Sequence, residues 1–182
     1  MAQALLLIDL QNDYFPGGAM ELVGSPEAGL QAERLLKAFR RAERPVVHIQ
    51  HVNTRPGATF FLPGSDGLRI LASLAYIPGE PVFQKYSPNS FRDTPLLDHL
   101  RGLGVTRLVI AGMMTHMCID STTRAAADFG FQCQLVQDAC ATRDLVRNGV
   151  TVPAAQVQTA FLAALDGLFA KVLTTDEVCA GL

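Results

Sequence analysis

The chain lacks any apolar run long enough to span a bilayer. Its first such run, ALLLI, leads straight into Asp9, whereas a spanning helix needs about 20 apolar residues. The basic segment and small-residue cleavage site of a signal peptide are also missing. A cytoplasmic protein with no membrane partner is therefore expected. No cluster of Lys and Arg stands out among 15 basic and 17 acidic residues, a net charge of −2. That argues against a nucleic-acid partner or an anionic lipid surface. The four cysteines, Cys118, Cys133, Cys140 and Cys179, form no CxxC pair and no zinc-like spacing, so free thiols are the default. No phosphate-cradling turn follows the first apolar run. DLQNDYFPGG is neither GxGxxG nor GxxxxGK, which weakens a nucleotide-binding reading. Repeats, low-complexity tracts and linkers are absent, and residues 1–182 read as one domain.

What is present is an alternation of short apolar runs with helix-like stretches. Residues 4–8 are continuously apolar, as in a strand covered on both faces. Residues 25–43 read as a helix capped by Ser25, with Pro26 in its first turn. Leu30, Leu35, Leu36 and Phe39 recur there at helical spacing. Strands are predicted at 45–52, 81–84, 106–111, 134–138 and 171–174. Helices are predicted at 94–101 (Thr94 as cap, Pro95 first), 117–129 and 152–169. In the second of these Ile119, Thr122, Ala126 and Phe129 would line one face. Such alternation implies a parallel sheet with helices on both faces. Two loops, 12–24 and 53–67, are long for this class, and long loops carry function.

In open parallel sheets ligands bind beyond the carboxyl ends of the strands. The first predicted strand ends in Asp9 and the third in Lys85. The fourth runs through Gly112-Met113-Met114 towards Cys118. Each alone has an ordinary use: a turn cap, a solvated lysine, a small core side chain. Together they assemble a thiol, a cation and a carboxylate at one sheet edge. A thiol attacks as thiolate. An early helical position and a nearby lysine would both lower its pKa, and the carboxylate could carry its proton to a departing amine.

At these residues the sequence resembles the isochorismatase-like cysteine hydrolases, which include nicotinamidases and N-carbamoylsarcosine amidases. The matching segments are LLLIDLQNDYF, FQKYSPNSF and VIAGMMTHMCIDSTTRAA, with QDACATRD downstream. The resemblance covers nearly the whole chain. It implies a three-layer α/β/α sandwich of Rossmann type with a six-stranded, mainly parallel sheet. It implies Asp9 as general base and acid, Lys85 as charge stabiliser and Cys118 as nucleophile. The reaction implied is hydrolysis of a small amide or related C–N bond through a thioester. A non-proline cis peptide at Met113–Met114 and an oxyanion hole from the amides of Met114 and Cys118 are implied too, as is a homo-oligomer. Thr115, a plausible helix cap, would compete for the Cys118 amide. Family members that cleave a vinyl ether lack the cysteine. Its presence favours C–N hydrolysis over that alternative and over an idle scaffold.

Aromatic residues Phe15, Phe60, Phe61, Tyr86 and Phe91 sit in loops at the same rim and suggest an apolar binding slot. Asn12 is a candidate to hydrogen-bond Asp9 or the substrate. His116 reads as a rim or interface residue. Some nicotinamidases hold a divalent ion through an aspartate and histidines after the second strand. Here VVHIQHVNTRPG puts His51 roughly where that aspartate would be and Asn53 where the first histidine would be. His48 and His51, three apart on a strand, would face opposite ways, with no carboxylate nearby before Asp66. No metal and no cofactor are therefore expected.

Overall fold

The computed structural model describes residues 2–182. Leu5 and Leu7 project from one face of the first strand, and Ala4, Leu6 and Ile8 from the other; all are buried. A strand apolar on both faces must be covered on both. The rest of the chain supplies those covers.

Strand β1 (Ala2–Ile8) lies in a six-stranded sheet with β2 (Val46–His51), β3 (Val82–Lys85), β4 (Val105–Met113), β5 (Gln132–Ala141) and β8 (Ala170–Leu173). The order is β3-β2-β1-β4-β5-β8, and every pairing is parallel. Leu5 lies opposite Val46 on one side and Val109 on the other. Helices α1 (Ser25–Arg41) and α5 (Thr175–Ala180) cover the Leu5/Leu7 face, with Ala32, Leu35, Leu36 and Phe39 of α1 buried in it. Helices α2 (Leu96–Gly102), α3 (Asp120–Asp128) and α4 (Ala154–Leu165) cover the other face through Leu96, Leu100, Ala126 and Leu165. The result is the expected three-layer sandwich. Among the described residues no helix is long and apolar enough to cross a membrane.

Several local expectations are corrected. Leu30 is exposed; the buried stripe of α1 runs through Ala28 and Ala32 instead. The cap of α1 is Gly24, in the left-handed region, and the buried Ser25 hydroxyl caps nothing. α2 starts at Leu96, one residue later than expected, with Pro95 at the cap position; the Thr94 hydroxyl accepts the Leu96 amide at 3.4 Å and donates to Ser90 O. Phe129 is exposed at the end of α3, edge-on to Phe91. The helix expected over 152–169 is shorter at both ends. Pro153 precedes it in extended backbone, and after Leu165 the Asp166 carboxylate turns away to accept the amide of Val172. Val152 belongs to a hairpin, β6 (Leu145–Arg147) and β7 (Val150–Val152). Its Asn148-Gly149 turn has both residues at positive φ, as a type I′ turn requires.

Candidate active site

Asp9 leaves β1 in the left-handed region at φ 54, which a short polar side chain tolerates better than most. Its amide donates to Ile49 O at 3.0 Å. Lys85 ends β3, paired in register with His51 of β2. Its side chain is buried, as is that of Asp9. The Lys85 Nζ donates to Asp9 Oδ2 at 2.7 Å, to His51 Nδ1 at 2.9 Å and to Cys118 Sγ at 3.1 Å. An ammonium has three hydrogens, and here each has an acceptor. Burial opposes the charge, but Asp9 and the Cys118 sulfur outweigh it and hold the Lys85 pKa above its ordinary value.

The same contact sets the state of His51. An ammonium cannot accept, so Nδ1 must be the unprotonated nitrogen and Nε2 carries the hydrogen. Burial first, and then the Lys85 charge, pull the His51 pKa down to about 4. Gln11 fixes the His51 backbone from both sides. Its Oε1 accepts the His51 amide at 2.8 Å and its Nε2 donates to the His51 carbonyl at 3.0 Å.

The thiol differs from expectation. Burial, followed by the Asp9 carboxylate, pushes Cys118 well above the ordinary thiol range, and Lys85 offsets this only in part. A helix terminus and a lysine would give a resting thiolate in a wetter site. In this one the ion pair of Asp9 and Lys85 is already neutral overall, and a third, negative group is disfavoured. Asp9 Oδ1 is buried without a hydrogen-bond partner, which leaves a place for the thiol proton.

The helix expected over 117–129 begins differently. Residues Thr115–Ile119 form a single π-helical turn ahead of α3. The Met114 carbonyl accepts the amides of Met117 at 3.0 Å and Ile119 at 3.2 Å. Such turns concentrate at functional sites. The Met113–Met114 peptide is cis. Among the described residues the Met114 amide has no acceptor. Thr115 does not compete for the Cys118 amide. Its hydroxyl lies 2.6 Å from Gln158 Oε1 and 3.2 Å from the Ala141 carbonyl.

Over Cys118 lies a cavity of about 170 Å³, below the roughly 300–1,000 Å³ of sites for drug-sized ligands. Phe60, Pro88, Met114 and Met117 form apolar walls; Tyr14, His51, Asn53, Arg55 and Arg143 supply polar ones. Of the loop aromatics singled out in the sequence, only Phe60 lines it. Phe61 is fully buried behind the wall, its ring 4.5 Å from Tyr14 and 6.1 Å from His51. Phe15 and Asn12 line a separate depression, where Asn12 Nδ2 donates to Asp66 and not to Asp9. Tyr86 is exposed, and Phe91 stacks against Phe131 in the core. His116 is no rim residue: it is buried, with Nδ1 2.6 Å from the Thr142 hydroxyl. A larger cavity of about 490 Å³ lies at the far end of β5 and β8. The described residues form no cluster of nucleophilic or metal-binding groups there.

The sequence reading missed His51, Tyr14 and Arg143 as site residues. The strand-end rule could have found two of them. His51 ends β2, and Arg143 follows β5. It also missed Asp13, whose carboxylate accepts the amides of Ala19 at 3.0 Å and Phe61 at 2.6 Å and so ties two long loops together.

The expectation that no carboxylate lies near the two histidines fails. Glu80 Oε2 meets His48 Nε2 at 3.0 Å, and atoms of Asp9, His51 and Cys118 lie within 4.8 Å of one another. These last three could ring a cation. The Lys85 ammonium already contacts all of them. A divalent ion would compete with it for one position, so the donor set fits an ammonium and not a metal.

Gly112 lets the two central strands close up. It pairs with Ile8 at φ +133, and a Cβ there would lie 2.0 Å from the Ile8 carbonyl oxygen. Ile8 precedes Asp9, so the strain would reach the carboxylate directly. Gly112→Ala is expected to cost about 3 kcal/mol or more of stability, read as a lower urea midpoint. A loss within about 0.5 kcal/mol would show that β1 yields without strain.

The arrangement has counterparts. The isochorismatase domain model matches residues 3–177. The isochorismatase family protein YddQ of Bacillus subtilis (strain 168) is 47% identical over 176 residues, covering 97% of this chain and 98% of that one. A streptothricin hydrolase of Streptomyces noursei is 37% identical over 157 residues, 84% of this chain and 61% of its own. A crystallised isochorismatase-type protein of Oleispira antarctica aligns with TM-score 0.95 at 52% identity, over 99% of this chain and 97% of that one. The chain therefore belongs to the isochorismatase family of hydrolases.

Proposed function

We propose that this protein hydrolyses the C–N bond of a small amide through a thioester on Cys118. The observation that carries this is one ammonium, Lys85 Nζ, in contact with both the Asp9 carboxylate and the Cys118 sulfur. As the sulfur bonds to the amide carbon, its proton passes to Asp9, and Lys85 stabilises the negative charge that appears. The tetrahedral oxyanion is received by the amides of Met114 and Cys118. Collapse breaks the C–N bond, and the departing amine takes the proton from Asp9. Water then attacks the thioester, gives its proton to Asp9, and leaves the acid product with a restored thiol. Charge on Asp9, Lys85, Cys118 and the substrate oxyanion taken together stays balanced throughout, which suits a site with little water to screen it. A ureidoacrylate amidohydrolase of Variovorax paradoxus (strain S110), 25% identical over 207 residues, supports C–N chemistry. Retention of Cys118 favours it over vinyl ether cleavage.

The test is ammonia release from a panel of nicotinamide, N-carbamoyl amino acids and aliphatic amides, after dialysis against a strong chelator. Acid-quenched samples are weighed for an acyl adduct on Cys118. Turnover that survives chelation, with a hydroxylamine-labile adduct, is expected. Turnover that returns only with zinc or iron would restore His51 as a ligand. No ammonia and no adduct across the panel would favour an idle scaffold.

A further inference from the structure

The cavity over Cys118 is lined by two cations and no acid. Arg55 and Arg143 both contribute to its wall, and no Asp or Glu does. Among the described residues neither guanidinium has a carboxylate partner or a side-chain hydrogen bond. The Lys85 charge is already matched by Asp9. The two arginines are thus exposed residues whose charges no acid pairs with, and both border one small space.

Their placement is fixed by the sheet. Arg55 stands in the loop after β2, and Arg143 in the segment after β5. In the order β2-β1-β4-β5 these strands flank the pair that delivers Asp9 and Cys118. The two residues therefore stand after strands on opposite sides of the pair that delivers Asp9 and Cys118. The other polar lining is rich in donors. His51 must carry its hydrogen on Nε2. Tyr14, its pKa raised by burial and by the nearby Cys118 and Asp9, stays a phenol. The Asn53 side-chain oxygen Oδ1 already accepts the Arg55 backbone amide at 3.3 Å. A donor-rich, cationic pocket selects an acceptor-rich anion, and the planar guanidinium fork matches a carboxylate.

We infer that the substrate carries a carboxylate, held by Arg55 and Arg143 while its amide lies over Cys118. This rests on the amide-hydrolase reading and narrows its substrate class. The site is tuned for an amide acid of few heavy atoms, and uncharged amides of the same size are poor ligands.

A pair of alkylating agents tests this without knowledge of the substrate. Iodoacetate and iodoacetamide differ only in carboxylate against carboxamide. Each forms a thioether by S–C bond formation with loss of iodide and of the thiol proton. The iodoacetate-to-iodoacetamide rate ratio at Cys118, followed by peptide mass, is compared with that of N-acetylcysteinamide in the same buffer. The ratio cancels differences in intrinsic thiol reactivity. It is expected to be about tenfold above the free thiol's, and to fall as salt rises from about 20 mM to 500 mM. Arg55→Gln and Arg143→Gln should each lower it about threefold, and the double variant more. A ratio equal to the free thiol's would overturn the inference. So would one unchanged in all three variants, since Lys85 would then supply the whole field. Ordinary iodoacetamide labelling without anion preference sinks the carboxylate alone. Cys118 left unmodified by both reagents, with no acyl adduct formed on it from any amide of the panel, sinks the nucleophile reading, and the inference with it.

Discussion

Cys118→Ala is expected to lower turnover by about 10⁴-fold or more and to leave the fold in place. The sulfur is the atom that forms the covalent bond, and no neighbouring group can replace it. His116 is held by Thr142, and His51 already accepts from Lys85. The fold should survive because Cys118 is a small, buried member of the core beneath β4 and α3. Removal of one buried sulfur costs about 1 kcal/mol, as for the loss of a single core methylene. Ammonia release, the mass of trapped acyl-enzyme and the thermal midpoint check the two halves separately. Residual activity within about tenfold of wild type would remove Cys118 as nucleophile. Loss of activity with a collapsed thermal midpoint would mean that the thiol mainly packs.

Lys85→Met is expected to damage both rate and stability, and the combination is diagnostic. The rate should fall about 10²–10³-fold, as for loss of one preorganised donor to a developing negative charge. KM should change little, because the ammonium matters most once charge develops on sulfur and oxygen. Alkylation of Cys118 at fixed pH should slow, since Lys85 is the group that pulls the thiol pKa down. Stability should fall by about 3–5 kcal/mol, because Asp9 would be left as a buried charge without its partner. The double variant Asp9→Asn/Lys85→Met is expected to recover most of that stability and none of the activity. Equal alkylation rates in Lys85→Met and wild type would contradict the electrostatic role. A double variant no more stable than Lys85→Met would contradict the buried-pair account.

The apolar runs were enough to identify the sheet. Leu5, Leu6 and Leu7 in succession can be satisfied only by covers on both faces, and that requirement is local. Asp9 and Lys85 were legible for a related reason. A charge directly after such a run sits at a strand end, and parallel strands place those ends together. Two local signals were present and passed over. Arg147-Asn148-Gly149-Val150 carries the Asn-Gly turn of the β6–β7 hairpin. Thr174 and Glu177 form the capping box that starts α5.

The cavity walls were not legible. Loop aromatics have no periodicity to say where they point. Phe61 is turned inward because Asp13, 48 residues earlier, accepts its amide, and Phe60 is left to line the pocket. The ionisation of Cys118 lay beyond reach for the same reason. Sequence shows the lysine and the helix, which lower a thiol pKa. It does not show burial or the distance to Asp9, which raise it and outweigh them here. The arginines at 55 and 143 are 88 residues apart in the chain, and only the strand order β2-β1-β4-β5 brings both to one cavity. The chain by itself determined which elements form and which chemical groups stand at their ends, because those follow from nearest-neighbour burial. Tertiary structure decided which groups meet, how far each is from water and what charge each can carry, because these depend on the summed field of residues that the sequence keeps apart.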